Sequence, residues 1–464
     1  MAPREPFSGV PASAAAGITW PALPTPKAAV RLALLHQLEQ SQWWPPEVLR
    51  AWQFRQLGPL LAHAARTVPF YGERLAAARV RPGQAVAADV WARIPLLTRE
   101  DLQRAGAALH SRELPARHGP VHTVSSSGST GRPIEALGTR ITRLFWDVFT
   151  VRDHLWHRRD LRGKLASIRN FPDGQGLYPK GLRTGRWGAA VAAVYPTGPA
   201  VGLSITATTE QQAEWLRRQN PDYLLCFPTA LHAVARHCRD NGIGLPRLRE
   251  ARAISEVLTP ETRAACREAW NVDVTDIYSA RETGYLALQC PEHTHYHVQA
   301  EGVFLEILKA DGAPCAPGET GRVVVTALHN FAMPLIRYDI GDYAEAGAAC
   351  ACGRGLPVMT RIAGRARNML RLPGGGQLWP RLSETKYNEV APIRQYQIVQ
   401  TSLERLEVRL AAERALTEAE EARLREIILG RIGHPFELAF AYRDEIPRGP
   451  GGKYEDFKCE VEQI

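Results

Sequence analysis

Helical and apolar segments alternate between residues 209 and 278, and this alternation limits the folds that the chain can adopt. Apolar residues spaced three and four apart predict helices, and the short apolar runs between them predict buried strands. The predicted helices lie at 209–219, 230–241 and 259–270, and the predicted strands lie at 223–227, 251–255 and 274–278. Such alternation is typical of a doubly wound sheet, so we expect an α/β fold.

The flanking segments predict the rest of the organisation. Helical spacing through 30–80 indicates an N-terminal helical region. Runs rich in β-branched residues at 303–308 and 322–327 predict strands, and 412–430 predicts a charged amphipathic helix. We expect three parts: a flexible leader at 1–26, a large N-terminal domain with β-sheet subdomains at 27–364, and a small mobile C-terminal α+β lid at 365–464.

Composition narrows the class of protein. The 464 residues are 45% hydrophobic and 23% charged, as in ordinary globular proteins. No apolar run approaches twenty residues and no secretory signal pattern is found, so we expect a cytoplasmic protein without a membrane span. The net charge is +9, but the basic residues are dispersed, which favours anionic small molecules over nucleic acid as partners. A basic, zinc-stabilised nucleic-acid-binding protein is the alternative from a different class.

Residues 125–134 form a stretch with five hydroxyl side chains, two glycines and almost no apolar mass. Glycines let backbone N–H groups turn toward a phosphate, and the hydroxyls add further donors. The spacing fits neither a Walker A loop nor a Rossmann dinucleotide loop. The stretch is therefore a candidate polyphosphate loop of another kind, and a solvated linker is the alternative.

Three further positions carry groups that a nucleotide site requires. Glu282 follows the predicted strand at 274–278, where a carboxylate suits a Mg²⁺ that bridges phosphate oxygens. Asp342 suits the two hydroxyls of a ribose. Lys453 is one of seven lysines among 57 basic residues and lies in a glycine-rich turn, from which it can approach developing negative charge. Alternatively, Glu282 is an acid on the surface, Asp342 lies in a solvated turn, and Lys453 lies in an exposed loop without a functional role.

Two closely spaced pairs of cysteine and histidine residues predict a structural zinc site. Together they supply the four ligands of a tetrahedral centre. The four candidate ligands are Cys290, His293, Cys350 and Cys352. His295 and His297 are rivals of His293, and reduced core thiols are the alternative to a metal.

The order of these motifs resembles that of the adenylate-forming superfamily of acyl-CoA synthetases and adenylation domains. The segments that carry the resemblance are 125–133, 278–282, 337–342, 364–365 and 452–453. Within the superfamily the chain is similar to the phenylacetate-CoA ligase family, and to its CapK-like or coenzyme F390 synthetase-like branch. The segments 64–71 and 94–101 resemble the same branch.

This resemblance implies that ATP and Mg²⁺ activate a carboxylic acid to an acyl-adenylate, which then passes to CoA as a thioester. It implies that Tyr278 flanks the adenine, Glu282 binds Mg²⁺, Asp342 binds the ribose and Arg365 lies near the nucleotide. Lys453 would stabilise the attack of the carboxylate on the α-phosphorus, before a rotation of the lid replaces it with the acceptor thiol. The residues implied to wrap the β- and γ-phosphates are Ser126, Ser127, Gly128, Ser129, Thr130 and Gly131.

Two positions depart from the family pattern. Arg281 stands where a small hydroxyl residue is usual, and it either adds a contact to the α-phosphate or reshapes the pocket. Asn368 stands at the position of the acidic hinge residue. This change favours an alternative in which the acyl group passes to an amine or a carrier protein.

The resemblance also predicts the chemical class of the carboxylic acid substrate. By resemblance the acyl pocket lies between the segments 223–230 and 253–283, where Phe227 and the small Ala280 line a slot of aromatic size. We therefore expect an aryl or arylacetic acid. The candidate partners are the small-molecule acid, the acceptor and a second copy of the chain in a homodimer. A non-catalytic member of the family is a further alternative, against which the retention of Glu282, Asp342 and Lys453 argues.

Overall fold

The computed structural model describes residues 10–81, 83, 85–125, 134–365, 368–378, 387, 389–448 and 454–461. The helices are α1 (Pro26–Ser41), α2 (Pro46–Thr67), α3 (Gly72–Ala77), α4 (Ala88–Arg93), α5 (Arg99–Ala105), α6 (Arg140–Trp156), α7 (Ala189–Ala192), α8 (Thr209–Gln219), α9 (Pro228–Asp240), α10 (Pro260–Trp270) and α11 (Glu418–Ile432).

The first fourteen strands are β1 (Val121–Ser125), β2 (Glu135–Thr139), β3 (Leu165–Arg169), β4 (Leu182–Thr184), β5 (Ala200–Ser204), β6 (Tyr223–Cys226), β7 (Glu250–Ile254), β8 (Asp273–Ala280), β9 (Gly284–Gln289), β10 (Tyr296–Val298), β11 (Val303–Leu308), β12 (Thr320–Ala327), β13 (Tyr338–Ala346) and β14 (Val358–Arg365). The C-terminal strands are β15 (Leu370–Arg371), β16 (Gln377–Leu378), β17 (Ile393–Gln400), β18 (Arg405–Ala412), β19 (Glu437–Tyr442) and β20 (Phe457–Cys459).

A twelve-stranded mixed sheet organises the larger part of the fold, in the order β11-β12-β13-β14-β10-β9-β8-β7-β6-β3-β5-β4. Strands β5, β3, β6, β7 and β8 are parallel, whereas the strands from β8 through β14 to β11 pair antiparallel. The predicted alternation is confirmed. Strand β8 lies where the two halves of the sheet meet, so its carboxyl end is a natural place for a ligand.

Helices cover both faces of the parallel half. One core lies between these strands and α8–α10, and includes Trp215, Leu224 and Leu231. A second core on the opposite side includes residues of α1 and α6, such as Leu38 and Phe149. Among the described residues, no helix combines the length and the apolar character needed to cross a membrane.

Arg337 ties the N-terminal helical region to the sheet. Its buried guanidinium donates hydrogen bonds of 2.8 Å to the carbonyls of Ala92 and Ile94. The backbone N–H of Leu97 donates to the Arg337 carbonyl at 2.9 Å, and Leu97 forms a bridge with Tyr338. Two segments that are far apart in the sequence therefore pack side by side.

The C-terminal part contains a separate four-stranded sheet, in the order β19-β18-β17-β20, against which α11 packs. The predicted helix at 412–430 begins later than expected, at Glu418, because residues 405–412 form β18. Thr417 caps this helix in a reciprocal capping box with Glu420. The twelve-stranded sheet ends at Arg365 and the smaller sheet begins at Ile393.

Candidate active site

A β-hairpin carries the hydroxyl-rich stretch at 125–134, which we call the hydroxyl loop. Strands β1 and β2 pair antiparallel with Ser125 opposite Glu135, so residues 126–133 connect two paired strands. The residues predicted to wrap the phosphates, from Ser126 to Gly131, lie outside the described residues, as does Lys453.

Tyr278, Asp342 and Arg365 form one cluster at the end of β8. Asp342 lies opposite Arg365 in the pairing of β13 with β14, and the Arg365 Nε is 3.3 Å from Asp342 Oδ1. The Tyr278 hydroxyl donates to Asp342 Oδ2 at 2.8 Å. Burial, together with the adjacent Asp342 carboxylate, raises the pKa of Tyr278 well above its ordinary value, so the phenol stays a donor. Both partners fix the orientation of the Asp342 carboxylate.

Glu282 and Arg281 lie in the tight turn from β8 to β9. Gly284 has a φ of +97°, a conformation that glycine adopts without strain, and it completes this reversal. Burial raises the pKa of Glu282, an effect opposed by the nearby Arg365. The Arg281 Nη1 donates to the Ser125 carbonyl at 3.1 Å. This hydrogen bond links the turn that carries Glu282 to Ser125, the first residue of the hydroxyl loop.

A contact between the two parts of the chain involves Glu256, which follows β7. Its side chain is 6% exposed. Oε1 accepts a 2.8 Å hydrogen bond from the backbone N–H of Tyr454, while Oε2 accepts from the backbone N–H and the hydroxyl of Thr229, at 3.0 and 2.8 Å. Arg448 donates to the same hydroxyl at 3.1 Å. Sequence reasoning missed Glu256, although its place after a predicted strand is the signal that identified Glu282.

The hinge position also makes a defined contact. Asn368 Nδ2 donates to the carbonyl of Phe457 in β20 at 3.1 Å. Asn368 is therefore bonded to the C-terminal sheet.

A cavity of about 200 Å³ opens beside Glu282 and Arg281. Its lining includes four aromatic rings, and residues of the β1–β2 hairpin also contribute to it. The aromatic residues of the wall are Phe145, Trp146, Phe149 and Tyr285. The predicted acyl slot at Phe227 and Ala280 stays a prediction; Phe227 is buried in the core under α8–α10, and Ala280 packs against another core. Three of the four aromatic rings of the cavity lie on α6, which contacts β9, the strand that carries the fourth.

Four cysteine and histidine ligand atoms come together between β9, β10 and the segment before β14. The atoms, which lie within 4.8 Å of one another, belong to Cys290, His295, His297 and Cys350. This group replaces two members of the predicted set. His297 lies in β10 and His295 directly precedes it; the His295 Nε2 is 3.0 Å from the Cys350 Sγ, whereas the His293 ring stacks on His295. Cys352 lies next to the group, with its Sγ 3.4 Å from His297 Nε2.

Comparison with known proteins decides the family. The family model of the CapK C-terminal domain matches residues 381–459. The phenylacetate-coenzyme A ligase of Thermus thermophilus is 30% identical over 347 residues, which are 71% of this chain and 73% of that protein. The chain belongs to the phenylacetate-coenzyme A ligase family. The ligase of the same name from Escherichia coli is 27% identical and aligns with 87% of this chain and 93% of its own length.

A solved structure supports the fold of this phenylacetate-coenzyme A ligase family member. A 2-hydroxyisobutyryl-CoA ligase in the postadenylation state, in complex with R3-HIB-AMP, superposes with a TM-score of 0.66 at 19% identity, over 88% of this chain and 89% of that one. The predicted family and α/β fold class are confirmed. So is the prediction of an AMP-forming acid–CoA ligase.

In this ligase, the structure gathers five of the predicted nucleotide and catalytic residues around the end of β8. They are Tyr278, Arg281, Glu282, Asp342 and Arg365. The arrangement offers an oriented carboxylate beside a phenol, a second buried carboxylate, and two guanidinium groups. Such a set can hold a sugar hydroxyl, a divalent cation and anionic oxygens.

Proposed function

We propose that this ligase activates an aryl or arylacetic acid with ATP and Mg²⁺ and then transfers the acyl group to CoA. The observation that carries this proposal is the aromatic-walled cavity, whose rim is formed by Glu282 and Arg281. An acid whose ring occupies the cavity has its carboxylate available to the nucleotide at that rim.

The size and lining of the cavity support the choice of an aryl acid. An apolar cavity of about 150 Å³ in another protein is large enough to bind benzene. Here the volume is about 200 Å³, and the walls include Phe145, Trp146 and Phe149. Aromatic pairs gain additional energy from edge-to-face and offset contacts, so such walls favour a ring over an alkyl chain.

The residues at the end of β8 would serve the adenylation step. A carboxylate oxygen attacks the α-phosphorus, and the bond from that phosphorus to pyrophosphate breaks. Asp342, held by Tyr278 and Arg365, would accept the ribose hydroxyls and fix the nucleotide. Arg281 would offset negative charge near the hydroxyl loop, and Lys453 would do so at the reacting phosphorus. Mg²⁺ would supply further neutralisation of phosphate charge and would be held by Glu282.

A second candidate function has a different acceptor. In this version the acyl-adenylate reacts with an amine or with the thiol of a carrier protein. The observation that favours it is Asn368, a neutral amide bonded to the Phe457 carbonyl at the hinge position.

We further propose that zinc binds Cys290, His295, His297 and Cys350 as a structural ion. Two thiolates on one tetrahedral zinc lie about 3.8 Å apart, given Zn–S bonds of about 2.3 Å. The Sγ atoms of Cys290 and Cys350 are 3.9 Å apart. A zinc here would join the β9–β10 turn to the segment before β14.

Pyrophosphate release across a panel of acids, with and without CoA, tests the proposed function. Benzoic, phenylacetic, fatty and amino acids form the panel, and mass spectrometry identifies the acyl product. We expect release with aryl acids and conversion of the adenylate to a CoA thioester. Release only with fatty or amino acids would contradict the aryl assignment, and an adenylate that reacts with amines but not with CoA would favour the second candidate.

A further inference from the structure

Two side chains in the cavity wall have a buried polar atom that lacks a hydrogen-bond partner in the described part of the chain. These atoms are Nδ1 of His329 and Oγ1 of Thr283. Most buried polar atoms in proteins are paired, and leaving one unpaired costs about 1–3 kcal/mol. Both side chains line the cavity, so a group bound there can become their partner after a small rotation of either side chain.

Other polar side chains of this wall are already engaged. The Tyr285 hydroxyl is 3.0 Å from the Thr150 hydroxyl. Asn330 donates to the Leu137 carbonyl at 2.8 Å, and its Oδ1 accepts from two backbone N–H groups. Arg143 pairs with Asp147 at 3.0 Å. His329 and Thr283 are therefore better placed to bond a ligand than these three residues.

Packing holds the His329 ring in place and keeps it neutral. The ring stacks on Phe145 with centroids 4.0 Å apart and planes 17° apart. Burial, with a smaller effect of His118, lowers the pKa of His329 to about 4. A neutral imidazole has one N–H donor and one acceptor nitrogen. It thus matches a neutral group that both donates and accepts.

We propose that the cavity selects an aryl acid with a hydroxyl or amino group on its ring, and that His329, assisted by Thr283, hydrogen-bonds this group. The inference rests on the proposed function, because it assigns the cavity to the acid. A charged substituent next to His329 is disfavoured, since neither His329 nor Thr283 supplies an opposite charge and Arg143 is already paired with Asp147. An unsubstituted ring leaves both polar groups without a partner.

Matched pairs of acids test the proposal. Acid-dependent ATP–pyrophosphate exchange is measured with benzoate and its hydroxy and amino derivatives, and with phenylacetate and its derivatives. We expect kcat/KM to be at least about tenfold higher for a substituted acid than for its parent at one or more ring positions, because a site built to bond a hydroxyl rejects the analogue without it.

His329→Phe preserves ring stacking and removes both nitrogens. We expect kcat/KM for the preferred substituted acid to fall about tenfold or more, whereas the value for the parent acid stays within about twofold. His329→Asn, which keeps a donor and an acceptor, should retain part of the preference, and Thr283→Val should reduce it. His237→Phe on α9, away from the cavity lining, is the control and should leave the ratio unchanged.

The outcomes separate this inference from the proposed function. Equal kcat/KM values for parent and substituted acids, or an unchanged ratio in His329→Phe, would overturn the inference alone. If none of the acids supports ATP–pyrophosphate exchange, the proposed function is overturned, and the inference with it. Thermal unfolding checks that each variant is folded, and if His329→Phe does not fold, Thr283→Val and His329→Asn decide the result.

Discussion

The backbone N–H of Tyr454 donates a 2.8 Å hydrogen bond to the nearly buried carboxylate of Glu256. Tyr454 directly follows Lys453, so this bond connects the flank of the glycine-rich turn to the end of β7 in the large sheet. The carboxylate also accepts two bonds from Thr229, so it can act only as an acceptor at this position.

Glu256→Gln should slow adenylation more than thioester formation. The amide of Gln would point a donor at the backbone N–H of either Tyr454 or Thr229 and weaken the contact, and we expect pyrophosphate exchange to fall about tenfold.

Lys453→Ala should lower exchange about a hundredfold or more. Thioester formation from supplied acyl-adenylate and CoA should change little in both variants. Equal losses in both half-reactions, or normal exchange in Glu256→Gln, would contradict this role; Glu268→Gln, an exposed residue of α10, is the control.

Asp342→Asn should raise the KM for ATP. The amide keeps the volume but removes the charge that pairs with Arg365, and it accepts less strongly from the Tyr278 hydroxyl and from ribose. We expect an increase of about tenfold or more in KM for ATP, with a smaller change in KM for the acid. Asp311→Asn, in an exposed turn, is the matched control. An unchanged KM for ATP would show that Asp342 does not contact the nucleotide.

Metal analysis of purified protein should give about one equivalent of zinc per chain. Cys350→Ser should lose the metal and lower the unfolding temperature, because the ion would join two segments of the fold. His295→Ala should behave similarly, whereas His293→Ala should retain zinc, since His293 is outside the group of four. Cys315→Ser is the cysteine control. Zinc that is lost in His293→Ala but kept in His295→Ala would restore the ligand set expected from the sequence.

Acid should destabilise the fold between about pH 6.5 and 4. Burial lowers the pKa of His157 and His232 to about 4, and that of His154 well below its ordinary value. At these histidines the unfolded chain therefore binds more protons in this window, so their contribution to the free energy of unfolding falls as the pH falls, whereas Asp276 and Asp456, whose pKa burial raises to about 6, contribute in the opposite direction. His232→Leu should remove up to about 2 kcal/mol of the loss at pH 5, as measured by urea unfolding at pH 7.5 and 5. An identical loss in His232→Leu would contradict the prediction.

Local patterns in the sequence were sufficient to predict the helices and strands of the parallel half of the sheet. The predicted helix at 209–219 corresponds to α8, and the predicted strand at 223–227 corresponds to β6. These features depend on neighbours along the chain, which is why they can be predicted from sequence alone.

The cavity and the cysteine–histidine group depend on contacts between distant segments, so local sequence patterns alone do not define them. The cavity wall comes from α6, because this helix packs on β9 rather than because of any motif within it. Similarly, His295 and His297 were rivals of His293 in the sequence, and only the fold shows that their ring nitrogens, rather than those of His293, lie with the sulfur atoms of Cys290 and Cys350. The helix predicted from 412 also began late, because pairing of β18 with β17 and β19 outweighed the helical spacing of its first residues.

Three aromatic residues of the cavity wall and the residues proposed to bind the nucleotide lie on different elements of the fold. Phe145, Trp146 and Phe149 lie on one helix, whereas Tyr278 and Asp342 lie on strands of the sheet. Under the proposed function, substitutions on α6 would alter which acid is accepted without disturbing the groups proposed to carry out adenylation. Acid preference and adenylation chemistry could then evolve separately, because three of the ring contacts lie on an element that carries none of the proposed nucleotide contacts.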